Sequence, residues 1–229
     1  MNIHPSKQQL LDYCEGALND VDGFTIALHL EQCSECKRLV SELEHSCADS
    51  VFNTELVNDS SLNSDDGFQN MLSTITDLEP AGALSFVTPM RHNATVTTPN
   101  GKTFQLPPPL SRHAERISDW KNYGGKVYSA SIELDTQARV NLLYINEDAQ
   151  VPQHTHKGEE TTVILHGGFS DEDGHYHAGD YLVRDASHKH APFTQKGEDC
   201  LCLTVLTEPM IFTQGVARIF NLFGKGMYP

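Results

Sequence analysis

The segment His154-Thr-His156-Lys-Gly-Glu-Glu160 limits what this chain can fold into more than any other stretch. Two imidazoles one residue apart share a face only on a β-strand, where side chains alternate. A carboxylate four residues further on can then return an oxygen to the same point. Seven of the twelve histidines fall between His154 and His190. Donors this dense predict a metal site inside a β-structure, with His154, His156 and Glu160 joined by His190 from a later strand. Three imidazoles and one carboxylate suit zinc, iron, manganese or nickel. Glu159 and His188 are the competing carboxylate and late histidine. His166, His175 and His177 are expected to be exposed or hydrogen-bonded in a loop.

The surrounding pattern agrees. From about residue 113 the segments KVYSASIEL, ARVNLLYI, TTVILHGGF, GDYLVRD and LCLTVLT are short, β-rich and separated by turn residues, as in a sandwich or barrel. The tail from Pro209 carries Ile211, Phe212, Val216, Ile219, Phe220, Leu222 and Phe223, and is expected to cap that barrel.

The N-terminal third reads as helical. Ser6 and Gln9 form a capping-box pattern ahead of Leu10, Leu11, Cys14 and Leu18. Phe24 to Leu30 is a second apolar segment. Cys36, Leu39, Val40, Leu43 and Cys47 lie on one helix face, with Cys14 and Cys47 expected as small buried residues. A fourth helix is predicted over Ser64–Leu78, with Phe68, Met71, Leu72, Ile75 and Leu78 in phase and Asn53–Asp66 as the connection before it. Pro80, Pro89, Pro99 and Pro107 to Pro109 then break helical order. The fold class is therefore multidomain α + β. A small helical bundle occupies residues 1–90, a linker residues 91–110, and a β-barrel domain with its tail residues 111–229.

The helical region has a ligand set of its own. His29-Leu-Glu-Gln-Cys33-Ser-Glu-Cys36 places two thiols at the start of a helix and a histidine at the end of the preceding one. Such a pair can bite one tetrahedral ion, and His4 is the candidate fourth ligand. A thioredoxin-type redox pair would need a βαβ setting, which this segment lacks. With no export signal visible, reduced thiols and a cytoplasmic location are expected.

Net charge is -15, and residues 1–90 hold 3 basic against 15 acidic side chains. That balance argues against nucleic acid or an anionic membrane as partner and suits a basic protein surface. No apolar run reaches the 18 or so residues of a membrane span.

These residues carry two resemblances. His4, His29, Cys33 and Cys36 in a short acidic helical region resemble the zinc-binding anti-sigma domain, whose helices wrap an extracytoplasmic-function sigma factor. His154, His156, Glu160 and Gly167, followed by Gly179 and His190, resemble the two cupin motifs. Asp148 stands where the first motif has glycine. Asp185, Ser187 and Thr194 stand where the second has proline, glycine and asparagine. Together the two domains resemble the ChrR family of anti-sigma factors. The resemblance implies that the first domain inhibits sigma, and that the cupin domain releases it in response to singlet oxygen or organic peroxide. Cys200 and Cys202, two apart on a late strand, are read either as small core thiols or as an oxidisable pair near the cupin metal. The competing function is a metal-dependent cupin dioxygenase or isomerase, for which Tyr144 and His177 are the nearest candidates for a base.

Overall fold

The computed structural model describes residues 3–52, 66–78, 93–215, 217, 218 and 221. Val216, Ile219, Phe220, Leu222 and Phe223 of the tail, Pro80, Pro89 and most of the Asn53–Asp66 connection lie outside them. Two compact units are present: residues 1–44 together with 92–229, and residues 45–91.

In the first unit, α1 (Lys7–Cys14) starts at the predicted capping box. Ser6 Oγ accepts from the Gln9 amide and the Gln9 side chain accepts from the Ser6 amide, 3.2 and 2.8 Å. Asn19 caps α2 (Asp20–Leu30) by accepting from the amides of Val21 and Asp22, and Asp20 and Asp22 place negative charge in its first turn. α3 (Ser34–Phe52) begins in this unit and ends in the second. Cys14 and Cys47 are half-buried rather than fully buried, Cys14 packing against the main core from the end of α1. In the second unit, α4 (Asp66–Thr76) carries Phe68, Met71, Leu72 and Ile75, all exposed.

Most of the β-domain is one large antiparallel sheet. Its order is β3 (Lys121–Tyr123), β4 (Val127–Ile132), β5 (Arg139–Ile145), β11 (Cys200–Leu206), β7 (Glu160–Ser170) and β8 (His175–His177), with β9 (Tyr181–Arg184) also on β7. A second sheet has the order β10 (Lys189–His190), β6 (His154–His156), β12 (Met210–Phe212). The described strands thus form separate sheets, with no single closed ladder of hydrogen bonds among them, in place of the closed barrel expected from the sequence. Within the stretch expected as linker, β1 (Thr95–Thr97) and β2 (Thr103–Gln105) pair as a hairpin before a short helix, α5 (Pro108–Ser111). The Thr-Pro-Asn-Gly sequence between the two strands explains it, since Gly101 takes φ +87°.

The alternation of the large sheet divides the core. One face presents Leu142, Tyr144, Val163, Leu201 and Leu203 to Leu10, Ile26, Leu28 and Val40 of the helices. The other presents Ile145, Ile164, Cys200 and Cys202, which pack with Phe169 and Leu182. The N-terminus is tied to the outer edge. The Ile3 amide donates to Asp180 Oδ1 at 2.9 Å, and the Tyr181 amide donates to the Ile3 carbonyl at 2.9 Å. Gly167 lies within β7 rather than at a turn. A Cβ there would come within 1.7 Å of the Asp199 carbonyl oxygen, so only glycine fits.

Candidate metal centres

The first cluster forms where α2 hands over to α3. His4, His29, Cys33 and Cys36 each offer a donor atom, all within 4.8 Å of one another. Cys33 sits just before α3, and its Sγ accepts from the Cys36 amide at 3.4 Å, so the open helix end stabilises sulfur charge. His4 Nδ1 lies 3.4 Å from both sulfurs, while its Nε2 is 3.6 Å from Glu35. His29 is fully buried; neither ring nitrogen makes a hydrogen bond of full geometry, although the Gly179 backbone lies close enough to favour the charged ring. Burial pulls its pKa down to about 4. Burial and the neighbouring Cys33 sulfur push the Cys36 thiol up. A buried imidazole with only that weak backbone contact, beside two crowded sulfurs, is costly as it stands. A cation among the four donors removes both problems, and two sulfurs with two nitrogens match a closed tetrahedral site.

The second cluster spans the two sheets. His154 and His156 project from β6, His190 from β10 and Glu160 from the start of β7, all four buried and within 4.8 Å. His154 and His190 are cross-strand neighbours, and their Nε2 atoms are 3.0 Å apart. The other nitrogen of each ring is engaged. His154 Nδ1 donates to the Pro152 carbonyl at 2.9 Å, and His190 Nδ1 donates to Asp171 at 3.2 Å. Those contacts fix the tautomers, so two bare lone pairs face each other, which is the arrangement of a metal site with an oriented outer shell. His156 Nε2 is 3.2 Å from the Glu160 carboxylate but outside hydrogen-bond geometry. Burial pulls His154 and His156 down to about 4 and 3, and raises Glu160.

The competing donors lie elsewhere. Glu159 is exposed, and His188 pairs with Asp185 at 2.8 Å. His175 and His177 lie on β8 and His166 on β7, all exposed. Tyr144 is buried on the outer sheet face, donating to Asp199 at 2.6 Å. Asp148, at the position of the first motif's glycine, has φ 50°, a conformation that aspartate tolerates better than most residues. At the altered turn of the second motif, Asp185 accepts from the Ser187 amide at 2.9 Å and from its hydroxyl. These bonds hold the Asp185 carboxyl at about 2 and replace the proline–glycine turn with an Asx turn. Asp171 had no spacing signal, although its side chain is fully buried and accepts from Tyr176 at 2.8 Å. Cys200 and Cys202 are both buried on the inner face of β11. The Cys202 contact and burial hold the Cys200 thiol well up.

Residues 115–209 match the family model of the ChrR cupin-like domain. Over those residues the β-domain is similar to that family. The likeness extends beyond that domain. The chain is 27% identical over 223 residues, 96% of each chain, to the anti-sigma-E factor ChrR of Cereibacter sphaeroides. It also superposes on a crystal structure of Rhodobacter sphaeroides SigE in complex with the anti-sigma ChrR, with a TM-score of 0.63 and 26% identity. That match covers 89% of this chain and 98% of the other. Among the described residues no helix is long and apolar enough to cross a membrane.

Proposed function

We propose that the protein is an anti-sigma factor whose partner is an extracytoplasmic-function sigma factor. The observation that carries this reading is the similarity to ChrR over 96% of both chains, helical region and cupin-like domain alike. The helical region, residues 1–90, holds sigma. Its excess of acidic side chains complements a basic surface, and the apolar face of α4 is available to a partner. His4, His29, Cys33 and Cys36 hold zinc, the ion that best suits a closed site of two thiolates and two imidazoles. Residues 91–110 lead into the cupin domain, residues 111–229, where His154, His156, Glu160 and His190 hold zinc or another divalent ion such as iron, manganese or nickel. That ion would supply a Lewis-acidic centre.

The cupin domain acts as the sensor. Oxidative change at the second cluster, or at Cys200 and Cys202, of which Cys202 shares a cavity wall with His154, Glu160 and His190, alters how β7 and β9 support the helices. A near-complete switch from bound to free sigma needs binding weakened by about 10⁴-fold. We read the cupin site as regulatory rather than catalytic, since a dioxygenase or isomerase has no use for an acidic helical region with its own metal cage. A sigma partner places the protein in the cytoplasm.

The test is co-purification of the zinc-loaded full chain with the extracytoplasmic-function sigma factors of the same cell. The expected result is a stable one-to-one complex that His29→Ala weakens and His154→Ala leaves intact. Failure of the zinc-loaded chain to capture sigma overturns the reading.

A further inference from the structure

The second cluster opens onto a cavity of about 660 Å³, within the range of small-molecule sites. His154, Glu160 and His190 form part of its wall. Most of the rest is apolar, including Leu143, Ile145, Val151, Phe169, Met210 and Phe212. One buried group in the wall stands out. Thr204 is 2% exposed, and its hydroxyl has no hydrogen-bond partner among the described residues. Thr204 pairs across β11 and β7 with Thr162, which also lines the cavity. A buried hydroxyl left unpaired is destabilising, so its natural complement is a polar atom of something that enters.

The charge balance specifies that atom further. Glu160 is the single carboxylate among the four donors, so a divalent ion held there keeps a positive charge within the donor set, which Asp171 behind His190 offsets only from the outer shell, and it offers an anionic head a direct partner. Asn122, Lys126, Asp148 and Gln150 also line the cavity, with Lys126 and Asp148 paired to each other, while the apolar part of the wall suits a hydrocarbon chain. We infer that the cavity binds a small aliphatic monocarboxylate, with its head at the Thr204 and metal-cluster end and its chain against the apolar wall. The inference rests on the metal reading of the second cluster.

The experiment uses the zinc-loaded full chain. Metal content is measured first, and two equivalents per chain are expected, with one lost in His156→Ala. Calorimetric titration with butanoate, hexanoate, octanoate and decanoate should then give affinities that rise about fourfold per methylene until the cavity is full. Alcohols of the same length should bind at least about tenfold more weakly. Thr204→Val should weaken every acid by about tenfold and leave the chain-length slope unchanged. Val151→Phe, which narrows the cavity without touching the cluster, should reject decanoate and keep butanoate. If the second metal equivalent is missing, the metal reading falls and this inference falls with it. If both equivalents are present, the inference alone is overturned by absent acid binding, by affinity flat in chain length, by alcohols that match acids, or by indifference to both variants.

Discussion

The ring of Tyr181 meets the ring of His29 edge-on, with centroids 5.8 Å apart, and its hydroxyl lies 3.3 Å from Thr25 Oγ1. Tyr181 belongs to β9, which pairs along β7 from Glu160↔Arg184 to Val163↔Tyr181. One pair of strands therefore carries a ligand candidate of the second cluster on one side and touches a ligand candidate of the first on the other. The two clusters are thus joined by one contiguous path of packed side chains and paired strands.

Tyr181 is 3% exposed, so Tyr181→Ala should cost about 3–5 kcal/mol, mostly as a cavity. Tyr181→Phe removes only the hydroxyl contact and should cost about 0.5–1.5 kcal/mol. Denaturant unfolding measures both. In Tyr181→Ala, zinc should also pass from the first cluster to a colorimetric chelator faster than in the parent chain. Equal transfer rates would show that the ring contact does not support that site.

Replacing Cys33 with serine removes a sulfur donor and weakens the acceptor at the start of α3. One equivalent of zinc should be lost, and the helices before residue 52 should become the first site of proteolytic cleavage, because metal binding in such a cage contributes directly to folding. Metal analysis and limited proteolysis check this. A variant that keeps two equivalents would remove Cys33 from the ligand set.

Asp171→Asn tests the outer shell of the second cluster. The substitution keeps the shape but removes the charge that orients His190. Affinity for the second metal should fall about 10–100-fold while the first site keeps its ion. Competition with a chelator of known affinity reads the difference. An unchanged second affinity would make Asp171 a packing residue only.

The core of each candidate cluster was legible because it depends on short spacing, while His4 and His190 join from 25 and 30 positions away. A strand's two-residue alternation brings His154 and His156 together, and the start of a helix brings Cys33 and Cys36 together. What escaped was non-local. Asp171 reaches His190 from 19 positions away and carries no mark in its neighbourhood. The β1–β2 hairpin hid in a proline-rich stretch that reads as loop. Tyr181 looked like any strand aromatic, since its partner His29 is 152 positions earlier. The division of β-strand side chains into an inner and an outer core was implicit in the alternation, but which face would meet the helices depends on how the chain folds back.

Acid should weaken the chelator-treated chain for a reason that can be traced to three side chains. His29 and His154 are pulled down to about 4 and His156 to about 3, burial being the first cause in each. In the unfolded chain a histidine titrates near 6.5. Between those values the unfolded chain binds protons at these three rings that the folded chain does not, so their contribution to stability rises with pH across the window, outweighing the opposite contribution of Glu160, whose carboxyl pKa is raised by burial. Above about pH 6.5 the contribution is complete. It is lost as pH falls toward about 4, with His156 continuing to about 3. Bound metal acts in the same direction, because protons compete for the same nitrogens. The urea midpoint of the chelator-treated chain should therefore drop between pH 7.5 and 5.0. In His156→Gln the drop should be shallower, since one of the three titrating groups is gone. A midpoint that is flat or rises on acidification would mean that these histidines are not held neutral in the fold.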